Sequence, residues 1–321
     1  MKLGLFTPVF GGLDVKEMLA RVRALGHVQA LELGTGGWPG SDHLDLHALL
    51  EEPRRVRDYR QMIADAGLMI SALSCHANPL HPDRAIAQAA DELFRKTVCL
   101  AQQLDVPVVV TFSGCPGDSD AAKHPNWITT PWPPEYLDVL EWQWQQRAIP
   151  YWSAATRFAA DHGIKVALEA HPGFLVYNVE TALELRRAAG ESLGVNFDPS
   201  HFFWQGVDAP TAIRALGGAI FHVHAKDLAL DRSNVAVNGV IDTKSYRRTH
   251  ERSWLFRTVG WGHDELEWKR IVSALRLAGY DYVVSIEHED ALASVGEGLR
   301  GAVDLLSRVV LSEPPADPWW A

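Results

Sequence analysis

The stretch IFHVHAKD, residues 220–227, joins a short apolar run to two histidines, a lysine and an aspartate. Side chains on an extended strand alternate between its two faces. We therefore expect His222, His224 and Lys226 to point to one side, with His224 as a metal ligand, and Phe221 to point to the other. A buried strand that ends in such groups indicates a site, provided that neighbouring strands end in the same way.

Similar apolar runs recur along the chain and alternate with amphipathic segments, several of which end in glycine. The other seven runs are KLGLFTPVF (2–10), VQALELG (28–34), LMISALSCHANP (68–79), VPVVVTFSG (106–114), IKVALEAHP (164–172), LGVNFDPSH (193–201) and YVVSIEHED (282–290). Runs that are apolar almost throughout are typical of a parallel sheet covered on both faces. Eight strand–helix units predict an α/β fold, a (β/α)₈ barrel in one domain. A doubly wound open sheet is the alternative, but no glycine-rich dinucleotide fingerprint follows the first run.

The composition argues against several classes of protein. The chain has 321 residues, of which 47% are hydrophobic, enough for a sizeable core. The formal net charge of −10, without a run of lysine or arginine, argues against a nucleic-acid partner. The chain shows neither a secretion leader nor an apolar run of membrane-spanning length, so we expect a cytoplasmic protein with no membrane partner. The odd number of cysteines, without zinc-site spacing, indicates reduced thiols.

Two connections are longer than usual, and both follow apolar runs. We expect a barrel over residues 1–312 with long loops at 114–150 and 228–263, followed by a tail at 313–321. Both loops would lie at the carboxyl ends of the strands, where the active sites of such barrels are found. The first loop is rich in tryptophan, which either stacks on a substrate or packs the loop onto the protein. The tryptophans concerned are Trp127, Trp132, Trp142 and Trp144.

Four consecutive strands end in carboxylates or imidazoles. The groups are Glu169 and His171, Asp198 and His201, His222 and His224, and Glu287 and His288. In a closed barrel these ends point to one place, and carboxylates brought together without a cation would repel each other. A divalent metal removes that conflict. Three oxygen donors and one imidazole favour Mn²⁺, Mg²⁺, Co²⁺ or Fe²⁺ over a closed structural zinc site.

The segments LEAHP, DPSH, HVHAKD and SIEHED, in this order and spacing, resemble those of the xylose-isomerase-like barrel superfamily. The resemblance spans essentially the whole chain and is strongest with the sugar phosphate isomerase/epimerase branch, which includes ketose 3-epimerases and inosose dehydratases. It implies one bound divalent metal, with Mn²⁺ preferred and Mg²⁺, Co²⁺, Fe²⁺ or Zn²⁺ as alternatives. The implied metal ligands are Glu169, Asp198, His224 and Glu287.

The resemblance also implies a reaction, which is proton transfer beside a metal-bound carbonyl through an enediolate. Glu169 and Glu287 would be the catalytic carboxylates of an isomerase or epimerase acting on a sugar or cyclitol. The substrate is expected to be unphosphorylated, because nothing in the sequence resembles a phosphate cradle. The residues expected to contact the substrate are His76, His171, His201, Lys226 and Arg257.

Other functions remain open at this point. The first alternative is a lyase or dehydratase that acts by β-elimination on an inosose or a 3-keto-glycoside, including C-glycoside deglycosylation with a small partner subunit. An apurinic-site endonuclease is less favoured, because Leu255 and Arg257 stand where that group carries an Asp-x-His pair. A non-catalytic sugar-binding protein is the weakest alternative, because all four implied ligands are present. For the enzyme we expect a homo-oligomer.

Overall fold

The computed structural model describes residues 1–320 and contains a closed barrel of eight parallel strands. The barrel strands are β1 (Lys2–Phe6), β2 (Ala30–Gly34), β3 (Met69–Ser74), β4 (Val108–Phe112), β5 (Lys165–Glu169), β6 (Leu193–Phe197), β7 (Ile220–Ala225) and β10 (Val283–Ile286). Each lies within one of the eight apolar runs, and β1 closes the barrel by pairing with β10. The predicted (β/α)₈ fold is therefore confirmed, and the open-sheet alternative is wrong.

Helices surround the barrel and connect its strands. They are α1 (Val15–Leu25), α2 (Leu46–Glu51), α3 (Pro53–Asp65), α4 (Arg84–Gln103), α5 (Glu135–Trp142), α6 (Ile149–Asp161), α7 (Val179–Ala189), α8 (Ser200–Phe203), α9 (Ala209–Leu216), α10 (Arg232–Asn238), α11 (Glu265–Leu277) and α12 (Val295–Val309). Their ends follow local chemistry: Asp14 and Ser294 each form a capping box with the glutamate three residues later. Within residues 1–320, no helix has both the length and the apolar character needed to cross a membrane.

Both predicted long loops contain structure of their own. The loop at 114–150 includes α5, which continues through a π-helical turn (Gln143–Ala148) into α6. The loop at 228–263 contains α10 and an antiparallel pair of strands, β8 (Asp227–Leu230) and β9 (Trp254–Arg257). Each loop follows a barrel strand, β4 and β7 respectively, and therefore emerges at the carboxyl end of the barrel.

One detail of β7 differs from the alternation expected from the sequence. The pairing of β6 with β7 shifts by one residue, since Val195 pairs with Ile220 and Asn196 with His222. Phe221 is the extra residue and packs inside the barrel with side chains of β3, β4 and β5. A bulge of this kind leaves one residue unpaired and redirects its side chain. The expectation that Phe221 points away from the histidines is therefore wrong.

Gly194 on β6 makes room for Phe221. A Cβ atom at this position would lie 2.3 Å from the carbonyl oxygen of Ala219 and 2.5 Å from the Phe221 ring. Those contacts are too short for carbon atoms, and one of them involves backbone. The inward position of Phe221 in the bulge therefore requires glycine at position 194.

We expect Gly194→Ala to lower the free energy of unfolding by about 1–3 kcal/mol, because an overpacked core must shift to accept the methyl group. Gly218→Ala is the matched control, since Gly218 is exposed and a Cβ there meets no atom within 4 Å. Urea denaturation of both variants measures the difference. Equal stability of the two variants would contradict this account of the bulge.

Candidate metal centre and cleft

Four predicted ligands meet at the carboxyl ends of the barrel strands. Glu169 ends β5, Asp198 follows β6, His224 lies on β7 and Glu287 follows β10. Each offers one ligand atom, and these four atoms all lie within 4.8 Å of one another. Nδ1 of His224 is 2.8 Å from Oε2 of Glu287 and 3.2 Å from Oε2 of Glu169. The structure thus brings together residues that are more than 100 positions apart in the sequence.

The hydrogen bonding of this cluster fits a bound cation. Oδ2 of Asp198, Nδ1 of His224 and Oε2 of Glu287 are buried and make no well-formed hydrogen bond in the described part of the chain, although each lies at ion-pair distance from a charged neighbour. Buried polar atoms nearly always form hydrogen bonds, so three converging atoms without one need an explanation. A divalent metal would satisfy all three and offset the carboxylate charge. The donor set therefore fits the predicted metal, and the ligand roles stay a prediction.

Glu169 is the most tightly held carboxylate of the cluster. Its Oε2 accepts a hydrogen bond from Nδ2 of Asn196 at 3.1 Å and lies 3.1 Å from Nε2 of His76. Its Oε1 lies 3.0 Å from Nε2 of His201. Burial opposes ionisation, but the neighbouring His201, His224 and His76 outweigh it and hold the pKa of Glu169 well below its usual value. Glu169 is therefore an ionised group of fixed orientation.

Two predicted substrate-contacting histidines, His171 and His201, lie side by side with different charges. Their rings are 4.1 Å apart, centroid to centroid. Burial disfavours the charged form of His201, but Asp198 outweighs this effect and raises the pKa to about 9. Burial and the neighbouring His201 lower the pKa of His171 to about 3. At neutral pH one ring is thus cationic beside the carboxylates, and the other is neutral at the wall of the cleft.

Lys226 brings a positive charge to the floor of the cleft, although only 2% of its surface is exposed. Its Nζ lies 3.0 Å from Oδ2 of Asp198 and 2.9 Å from Oε2 of Glu287. It also donates a hydrogen bond to Glu289 and lies 4.7 Å from the centre of the Phe256 ring. Burial disfavours the charge, but these carboxylates outweigh it and raise the pKa of Lys226 well above its usual value. Lys226 therefore remains charged next to two of the predicted ligands.

Glu32 is a site residue that the sequence analysis missed. It lies on β2, is fully buried, and accepts hydrogen bonds from Ser74 and from Nε2 of His224, the latter at 2.8 Å. Burial opposes its ionisation, but His224 and His222 outweigh it and lower the pKa of Glu32 to about 2. Hydrogen-bonded carboxylates of this kind fix the orientation of metal-binding histidines. The available signal was a lone glutamate inside the apolar run VQALELG.

A cleft of about 640 Å³ opens above the cluster. Its polar lining includes His76, Glu169, His171, Lys226 and Glu287. Arg257, which was expected to contact the substrate, does not line the cleft. Its Nε donates to both carboxylate oxygens of Asp290 at 3.2 Å, and its guanidinium lies 5.6 Å from the centre of the Trp261 ring. The structure therefore brings four of the five expected substrate residues to the cleft or its floor, His201 being buried beneath it, and leaves Arg257 outside.

The tryptophan-rich loop does not supply the walls of this cleft. Trp144 is buried, and together with Trp127 it lines a separate cavity of about 220 Å³. The Trp142 ring lies 5.5 Å from the Arg147 guanidinium, and Trp132 is exposed. Of the two roles considered for the loop, packing onto the protein agrees with these positions and substrate stacking in the main cleft does not.

The fold and the site place the chain among parallel (β/α)₈ barrels that carry a cluster of candidate metal ligands at the carboxyl ends of their strands. Within that class, residues 19–308 match the family described as xylose isomerase-like TIM barrel, and the chain belongs to this family. The superfamily predicted from the sequence is therefore confirmed.

The chain is similar in sequence to a bacterial protein and similar in fold to several solved structures. It is 39% identical over 313 residues to the uncharacterized protein YfiH of Bacillus subtilis (strain 168), over 97% of this chain and 99% of that one. Among solved structures, it is similar to the probable 3-DHS dehydratase AsbF of Bacillus anthracis, with 20% identity, a TM-score of 0.65 and 96% and 99% coverage. It is also similar to the IOLI protein with a bound zinc atom, with 18% identity, a TM-score of 0.64 and 96% and 99% coverage. The two structural likenesses show the fold.

We expect Glu32→Gln to weaken binding of Mn²⁺ by about 10–100-fold, the range found when the partner of a metal-binding histidine is changed. Glutamine keeps the shape but removes the charge that makes His224 a stronger donor. Titration calorimetry with Mn²⁺ and the metal-induced shift in melting temperature measure the effect. Glu51→Gln, at an exposed position, is the control. An unchanged Kd in Glu32→Gln would show that Glu32 does not support the metal ligand.

Proposed function

We propose that the protein is a divalent-metal-dependent isomerase or epimerase that acts on an unphosphorylated sugar or cyclitol. The observation that carries this proposal is the convergence of Glu169, Asp198, His224 and Glu287 at the floor of the cleft, with three of their ligand atoms buried and without a well-formed hydrogen bond. A divalent metal held there would supply a Lewis acid that acidifies the carbon beside a carbonyl. The proton itself must be moved by the protein's own residues.

Glu287 and Glu169 are suited to different parts of this proton transfer. Glu287 lines the cleft with 13% of its side chain exposed, so its carboxylate can reach a bound substrate, and its Oε2 lies 2.9 Å from Nζ of Lys226 and 2.8 Å from Nδ1 of His224. Glu169 is fixed by Asn196 and two histidines and keeps a low pKa. Two other strands, β6 and β7, separate the strands that carry the two carboxylates. If one carboxylate removes a proton from one face of the carbon, and the other takes up a proton from solvent and delivers it to the opposite face, the centre is inverted.

The fixed positive charges have a role in the same reaction. Removal of a proton beside a carbonyl places negative charge on oxygen, and preorganised cations stabilise such charge best in a site that excludes water. The Lys226 ammonium is buried, charged and part of the cleft lining. In this proposal Lys226 stabilises the negative charge that develops on the substrate oxygen. The cationic His201 beneath it keeps Asp198 and Glu169 ionised.

A β-eliminating lyase or dehydratase is the second candidate. The first step would be the same proton abstraction, but an acid would then have to protonate the leaving group. Three imidazoles line the cleft wall, those of His76, His171 and His288. Because burial keeps His171 neutral, His76 and His288 are the candidates for this acid. They give the cleft acid–base groups that simple inversion by two carboxylates does not require.

We expect Glu287→Gln to abolish turnover while weakening metal binding less than His224→Ala does. The amide keeps a neutral oxygen ligand but cannot accept a proton, whereas alanine removes a ligand altogether. Steady-state kinetics and metal titration on both variants separate the two effects. Near-normal activity of Glu287→Gln would show that Glu287 is not the base.

The reaction type can be read from turnover in D₂O of ketoses, inososes and 3-keto-glycosides. An isomerase or epimerase should place deuterium on the carbon that changes, because a carboxylate exchanges its proton with solvent. A lyase should instead give an unsaturated product. Proton NMR and mass spectrometry distinguish these outcomes. Turnover with neither solvent deuterium nor unsaturation would contradict both candidates.

A further inference from the structure

A rigid turn holds one exposed tryptophan at the rim of the cleft. The turn, GTGGWPG at residues 34–40, follows β2 and places Trp38 and Pro39 in the cleft lining. The backbone N–H of Trp38 donates to the carbonyl oxygen of His76 at 2.9 Å. At Gly37 (φ +69°) a Cβ would lie 2.3 Å from that same oxygen, so only glycine allows the approach. The turn is therefore fixed against the end of β3, beside the catalytic cluster.

Trp38 itself is 81% exposed and has no aromatic neighbour within the described residues. A single exposed tryptophan is common on protein surfaces, but Trp38 lines the cleft together with other aromatic side chains, and a contiguous apolar patch in a cleft is typical of a ligand-binding groove. Tryptophan also offers a wide contact face at low cost in conformational entropy, because its side chain has two rotatable bonds. Since its backbone is already fixed by the turn, little order would have to be gained on binding.

The rest of the upper cleft is aromatic as well. Tyr246, from the loop at 228–263, is 52% exposed and stacks on Phe256 with ring centroids 5.7 Å apart. Phe112 and Phe174 form a second stacked pair at 4.3 Å. All of these rings line the same cleft as Trp38, whereas its ionised groups are concentrated around the predicted metal ligands. The cleft thus has an ionised floor and an upper part that is largely aromatic.

The charges of the cleft disfavour a phosphorylated substrate. Among its lining residues in the described chain, Lys226 is the only lysine or arginine. Its Nζ already lies within 3.3 Å of Asp198, Glu287 and Glu289. The remaining charged residues of the lining are glutamates, which repel phosphate. The part of a substrate that lies beyond the metal floor should therefore carry no negative charge.

From these observations we infer that the substrate is a keto-sugar ring that carries a flat aromatic group, as in a 3-keto-glycoside of an aromatic alcohol. The hydroxyl-bearing ring meets the polar floor, and Trp38 stacks on the aromatic group at the rim. A cleft of about 640 Å³ is larger than a single sugar ring needs and lies within the range for drug-sized ligands, about 300–1,000 Å³. The inference rests on the proposed function for the orientation of the sugar ring.

The test compares phenyl with methyl β-glycosides of glucose, galactose and xylose on the Mn²⁺-supplemented protein, by calorimetry and saturation-transfer NMR. We expect at least one phenyl glycoside to bind about tenfold more tightly than its methyl partner, and Trp38→Ala to remove that advantage. Trp319→Ala is the matched control, because Trp319 is 88% exposed and lies in the tail, outside the cleft. It should keep the full ratio.

Three results would overturn the inference: no phenyl glycoside binds, phenyl and methyl glycosides bind equally, or Trp38→Ala keeps the ratio. These outcomes are separate from those for the proposed function, because the ratio measures binding without turnover. A protein that turns over free ketoses but shows no phenyl preference refutes only the aromatic site. A protein with the phenyl preference but no proton-transfer activity refutes only the proposed reaction.

Discussion

The structure depends on how the carboxylates gathered at one end of the barrel are neutralised. Glu32, Glu169, Asp198 and Glu287 all contribute oxygen atoms to a region from which water is largely excluded. Ionised carboxylates in such a place are unstable unless cations or hydrogen-bond donors surround them. The barrel meets this requirement in part with Lys226 and a group of histidines, and three converging ligand atoms remain without a well-formed hydrogen bond, which a divalent cation would coordinate.

That requirement links structural detail to chemistry. Nε2 of His224 is hydrogen-bonded to Glu32, which fixes the orientation of the ring. Nδ1 points to the ligand cluster, where it approaches Glu169 and Glu287. Asp227, next to the cluster, serves a different purpose. It accepts hydrogen bonds from the backbone of Gly260 and from His263, and so fixes the base of the long loop that brings Phe256 to the cleft. Charge compensation and cleft shape thus come from adjacent residues.

The parts that could be predicted from the sequence are those with a local signal. Apolar runs followed by polar residues located the eight strands and brought Glu169, Asp198, His224 and Glu287 to one end of the barrel. The rest depends on contacts between distant segments. Glu32 and His224 are 192 positions apart, and the pairing of Arg257 with Asp290 is set by the path of the loop. The inward turn of Phe221 likewise results from a shift in strand register that periodicity does not reveal.

The most direct test of this account is the divalent metal content of the purified protein, measured together with metal-dependent melting and with activity after chelation. We expect about one ion per chain, a fall in melting temperature on chelation, and recovery of both stability and turnover with Mn²⁺. A protein that purifies without metal, and whose melting temperature does not respond to Mn²⁺, would contradict the central claim. About three zinc ions per chain would contradict the single-metal site.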